Sequence, residues 1–330
     1  MIVRLVAAVS LLCGWAVSGE TAASGDEWNV RMLEGRTLQR QGRYREAVEA
    51  LQAAVRAADV PQSSFGRRAI ALNALAYLHD EMGEFRQAER DLRGALAAVE
   101  KRSGRVHPDR ALMLANFAGL YFHQGRFREG ESLLREAIGI YERTVGSQDI
   151  RLALAKSGLA ECLIHKKKFD EAERILSESV PILLAEAEPR IAIGGLAVNN
   201  LAVVRRHQKR YADAVALLEQ AVALVNAQVG PEHPEAVRVL SNLAVSYADA
   251  GRVEDAVAAF ERAMAHASAR LPEAHPIRTA LTGNYGSFLK KHGRAAEGRA
   301  LEAKSRDAQH QRELRNGIGM TVDASALRWK

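Results

Sequence analysis

Four asparagines recur at regular wide intervals: Asn116, Asn200, Asn242 and Asn284, the last three separated by 42 residues and the first by twice that. An asparagine side chain carries two N–H donors and a carbonyl acceptor, enough to hold a peptide unit by both its C=O and its N–H. It is a mediocre helix former, so a helix interior gains nothing local from it. Asn73 and Asn199 each stand one residue ahead of the same register, while Ala74 and Gly158 interrupt it. Two readings fit this column. The amides hold a ligand's main chain, or they bond one another and neighbouring carbonyls and fix the packing.

Other reactive side chains follow the same interval. His123, His165 and His207 form a second column. Packed helices lie roughly 8–10 Å apart, whereas zinc needs nitrogens within about 2.1 Å of one ion, so no metal site is expected. A pH-sensitive rim is the functional alternative. Basic residues cluster too, among them Lys167, Lys168, Arg205, Arg206, Lys290 and Lys291. They read either as cations at helix C-termini, favoured by the macrodipole, or as an edge attracting acidic peptides, anionic lipid or nucleic acid. Cys162, between Glu161 and Leu163, reads as an inert packed thiol. No His-Glu-x-x-His, Cys-x-x-Cys, phosphate loop or Gly-x-Ser-x-Gly occurs. The sequence therefore offers no catalytic constellation, no cofactor motif and no small-molecule substrate.

The elements behind these columns are repeats. Seven short strings mark them: Gly42-Arg43-Tyr44, Gly83-Glu84-Phe85, Gly125-Arg126-Phe127, Lys167-Lys168-Phe169, Lys209-Arg210-Tyr211, Gly251-Arg252-Val253 and Gly293-Arg294-Ala295. Their third residues are spaced by 41 and then five times by 42. Nine before, three after and ten after that residue, every copy has Gly, Ala or Ser. Seven after it stand Leu51, Leu92, Leu134, Leu176, Leu218 and Phe260, failing only at Glu302. Offsets of 3, 7 and 10 share one helical face, and small residues let two helix backbones approach closely. The turn glycine supplies the left-handed conformation that ends the first helix. Lys167 and Lys209 replace it in copies four and five, at the expense of local strain.

This large-and-small pattern resembles the tetratricopeptide repeat family. The long period, with Val229-Gly230-Pro231-Glu232-His233-Pro234 and Leu271-Pro272-Glu273-Ala274-His275-Pro276, is similar to kinesin light chains. The resemblance implies an all-α, right-handed solenoid of about seven antiparallel helix pairs over residues 27–305. It also implies that the asparagines line a concave groove and clamp an extended peptide. His107, His233 and His275, each before a proline, belong to loops opening a helix. Pro181 should kink or shorten the second helix of copy four. Residues 306–330 should form a polar capping helix and a tail that docks through Val322, Leu327 and Trp329 or frays.

Residues 1–19 read as a secretory signal peptide, with Arg4 before an apolar run and small residues after it. That run is too short to cross a bilayer, which needs roughly 20 apolar residues. Residues 20–26 would be a linker. With 48% hydrophobic and 26% charged residues in a chain of 330, a packed core is within reach, and two cysteines exclude a disulfide framework. The expectation is an exported, periplasmic or secreted scaffold that binds a protein or extended peptide, and is not an enzyme. An acidic partner would suit the basic edge; export argues against nucleic acid. The alternative is a cytoplasmic regulatory or nucleic-acid-binding repeat protein using that edge.

Overall fold

A computed structural model describes residues 26–58, 66–185 and 191–315. The leader over 1–19, nearly all of the linker and the tail residues Val322, Leu327 and Trp329 lie outside the described residues. Every described element is a helix. The chain divides into two compact units, one ending at His165 and the other beginning at Lys166.

The first unit contains α1 (Glu27–Arg40), α2 (Tyr44–Ala57), α3 (Arg67–Glu81), α4 (Phe85–Ser103), α5 (Pro108–His123), α6 (Phe127–Thr144) and α7 (Ile150–His165). The second contains α8 (Phe169–Leu184), α9 (Ile191–His207), α10 (Tyr211–Val229), α11 (Pro234–Asp249), α12 (Val253–Arg270), α13 (Pro276–Lys291) and α14 (Ala295–Arg315). Within each unit, consecutive helices pack as antiparallel pairs, and each pair packs on the next.

The repeated columns explain the pairing. Ala47, Ala88, Ala172, Ala214 and Ala256, three residues into the second helices, are fully buried. The large column beside them is equally closed: Leu134, Leu176 and Leu218 are 0% exposed and Phe260 is 1%. Burying such a side chain stabilises the fold by about 1.5–3 kcal/mol, so these columns are the principal glue. Glu302, the exception, is answered by Lys290, whose Nζ lies 2.9 Å from its carboxylate.

Each first helix ends in a left-handed residue. The turn glycines have φ between 72° and 85°, and Lys167 and Lys209 adopt φ 58° and 62°. The next N–H then reaches back five residues, as in Arg43 to Leu38 O at 2.9 Å and Arg210 to Arg205 O at 2.9 Å. That bond satisfies a carbonyl the helix would otherwise leave open.

First helices also start alike. Nδ1 of His107, His233 and His275 accepts from the backbone N–H two residues on, each at 3.2 Å. Pro108, Pro234 and Pro276 follow as first helical residues. In copy four Asp149 takes the same place and accepts from Arg151 N at 2.8 Å. These histidines are caps, which is why each precedes a proline. Helix α8 continues through Pro181 and stops three residues later, 16 residues long against 18 or 19 in α4, α6, α10 and α12.

Candidate functional site

The first helices within each unit are joined by side chains one repeat apart. Asn116 Nδ2 donates to Asn73 Oδ1 at 2.8 Å, and Asn242 Nδ2 donates to Asn199 Oδ1 at 2.8 Å. Asn199 Nδ2 donates in turn to Asn200 Oδ1 at 3.2 Å. Asn199 and Asn200 are 0% and 3% exposed and Asn116 is 7%, whereas Asn73, Asn242 and Asn284 are only half-buried. The amides are therefore not equivalent. Asn199 uses donor and acceptor inside the fold. Asn242 commits its N–H and leaves Oδ1 uncommitted, and Asn284 has no hydrogen-bond partner among the described residues.

A second row of contacts runs parallel to the first. Gln39 Nε2 donates to Glu81 at 2.8 Å, His123 Nδ1 meets Asp80 Oδ2, and Arg206 donates to Asp249 at 3.0 Å. Each joins a residue to one 42 or 43 positions later. The offset of 43 shared by Asn73–Asn116 and Asn199–Asn242 was the sequence signal for this pairing.

The remaining histidines of the column pack on rings. His165 stacks on Phe127 with centroids 4.1 Å apart, and His207 on Phe169 at 4.4 Å. Burial pushes both down to about 4 because a charged imidazole loses its hydration there. Both are neutral at neutral pH and so cannot act as a switch near pH 6. No cluster of three potential metal ligands occurs among the described residues. Cys162 is buried and its Sγ donates to Phe127 O at 2.9 Å.

The basic residues are largely answered by carboxylates. Arg205 pairs with Glu173, Arg206 with Asp249, Lys290 with Glu302, and Lys168 with Glu171 at 3.8 Å. Lys167 and Lys291 remain exposed. A further pattern escaped the sequence reading. In five copies an arginine before the second helix clasps an acid three positions on: Arg43–Glu46, Arg126–Glu129, Arg210–Asp213, Arg252–Asp255 and Arg294–Glu297. These hydrogen bonds hold Glu46, Glu129 and Glu297 below the usual carboxylate range. Each acid also complements the positive end of its helix.

Stacked helix pairs, a face of first-helix amides and no catalytic cluster among the described residues define a repeat scaffold. Tetratricopeptide repeat models match residues 32–81, 68–109, 109–185 and 195–269. The chain belongs to the tetratricopeptide repeat family, a scaffold fold for binding proteins and peptides. Among solved structures it is similar to putative kinesin light chain TPR-like repeats of Podosopora anserina, with 26% identity, 63% of this chain and 98% of that one covered, and a TM-score of 0.50. BtubC of P. vanneervenii is 25% identical over 70% of this chain and 91% of its own, with a TM-score of 0.58. RapI shares the fold at 12% identity, covering 87% of this chain and 99% of its own, with a TM-score of 0.67. No curated protein matches. No helix among the described residues is long and apolar enough to cross a membrane.

Proposed function

We propose that this protein is an exported scaffold that holds an extended segment of a partner protein along its first helices. The observation that carries the reading is the uncommitted amide capacity of Asn242 and Asn284, on the helix face where Asn200 stands one repeat earlier. Each asparagine presented every 42 residues can meet a peptide unit of an extended chain. Stacked repeats hold the amides in place beforehand, which limits the ordering needed on binding. Export is proposed from the N-terminal pattern of Arg4, an apolar run and small residues.

Synthetic hexapeptides, randomised in sequence, test the binding reading on the immobilised full chain. Wild type should retain a defined subset, and Asn284→Ala, which breaks no hydrogen bond among the described residues, should weaken that retention while circular dichroism and melting stay unchanged. Equal retention by both proteins would overturn the reading. N-terminal sequencing of the protein recovered from its native host tests export. A start after Ser18 or Gly19 is expected, and an intact Met1 would refute cleavage.

A further inference from the structure

Asn242 and Asn284 stand at one register on α11 and α13, two first helices of the same compact unit that pack against each other. Packed helices lie roughly 8–10 Å apart, so the two amides are presented at about that interval. Asn242 Nδ2 donates to Asn199 Oδ1 at 2.8 Å, which leaves Oδ1 as the atom to be met, and an amide oxygen calls for an N–H. Asn284, with no hydrogen-bond partner among the described residues, calls for the same. The side chains beside them are short. Val245 follows Asn242 by three positions, and Ala280 and Ser287 stand four before and three after Asn284, on the same helical stripe. None of the three is buried, so a partner's main chain can come close to the amides.

That interval selects among backbone conformations of the partner. An α-helix spends its N–H groups on its own carbonyls and has none to offer along its length. A β-strand turns every second residue to one face, at roughly 6.6–6.8 Å, and every fourth at about 13 Å. Both miss the spacing of the amides. A polyproline II segment has three residues per turn and rises about 3.1 Å per residue, so it returns to one face every 9.3 Å or so, roughly the distance between neighbouring helices. It makes no internal hydrogen bonds, which leaves each of its N–H and C=O groups open to a partner.

We infer that the bound segment is a polyproline II stretch in which two residues three positions apart give their N–H groups to Asn242 and Asn284. The inference rests on the proposed binding of an extended peptide by the first helices. It sets a rule for proline. Having no N–H, proline is excluded at the two residues that donate. At the two residues between them its fixed φ suits the required conformation, and it holds the residue before it extended as well. The partner is thus a proline-bearing segment whose read positions, three apart, are not proline. A segment stiffened in this way loses little freedom on binding, which strengthens a contact made through few groups.

A proline scan of the hexapeptides that wild type retains tests the rule on the immobilised full chain. Two positions three residues apart should reject proline, each by at least about tenfold, as for a lost hydrogen bond that leaves an amide unmet. The two positions between them should accept it with less than about a twofold loss, since proline costs nothing where its backbone already fits. On Asn284→Ala one of the two sensitive positions should become tolerant and the other stay sensitive. That outcome ties the effect to the asparagine column and not to the peptide's own shape. Sensitive positions two or four apart, or the same two sensitive positions on Asn284→Ala, would overturn the inference and leave the peptide reading standing. Retention of no hexapeptide by wild type overturns both.

Discussion

Lys167 and Lys209 sit where five other copies place glycine, and replacing them should stabilise the protein. Both residues adopt left-handed backbone at φ 58° and 62°, where an L side chain costs roughly 1–2 kcal/mol. Packing does not complicate the exchange. A Cβ built on Gly42, Gly83, Gly125, Gly251 or Gly293 meets nothing within 4 Å, and both lysine side chains are exposed. Glycine returns part of the gain through its greater freedom in the unfolded chain, about 0.5–1 kcal/mol. The net expectation is about 0.5–1 kcal/mol for Lys167→Gly and for Lys209→Gly, measured as a rise of about 1–3 °C in melting temperature. The reverse change, Gly251→Ala, should lower it by a similar or larger amount. No gain in either lysine variant together with a harmless Gly251→Ala would refute the strain argument, because all three rest on the same backbone conformation.

Asn199→Ala should cost about 1–3 kcal/mol in urea unfolding, since it strands the buried amide of Asn200 and the half-buried one of Asn242, whereas Asn284→Ala should stay within about 0.5 kcal/mol. Stability should fall as pH drops from about 6.5 to about 4. Over that window the unfolded chain protonates His165 and His207 while the folded one keeps them neutral. A His207→Asn variant should flatten that pH profile, and an unchanged slope would count against the burial argument. Pro181→Ala should raise stability by up to about 3 kcal/mol and lengthen α8, read as added helicity by circular dichroism.

Local features were readable because neighbours in sequence enforce them. The turn residue fixes where α1 ends whatever it packs on, and the His-Pro pairs mark the starts of α5, α11 and α13 by a bond spanning two residues. The amphipathic columns were likewise visible, since a helix that must bury Leu134 and Ala137 on one face has few alternatives. Contacts between copies were harder. Asn116 meets Asn73 only because stacking shifts adjoining first helices by one residue, and nothing within one copy announces that shift. The partners of the basic residues were hidden for the opposite reason. Arg205 and Arg206 look like free charge in sequence, yet Glu173 and Asp249, 32 residues before Arg205 and 43 after Arg206, lie beside them. For the candidate site, residue types were legible, but the division into committed and uncommitted amides needed the third dimension.

The cross-copy bonds of the asparagine and Gln39–Glu81 rows are each spaced by a single period or one residue more. Genetically, this makes length a free variable. Duplicating or excising one whole copy would present every surviving partner with a neighbour at the same offset, so no interface would have to be reinvented. An insertion of two or three residues inside a first helix would instead rotate every downstream amide off the shared face. Unequal recombination in units of 126 nucleotides, three per residue of a 42-residue copy, is thus the change this architecture absorbs most easily. Under the proposed function, relatives with more or fewer copies would differ in the length of segment held.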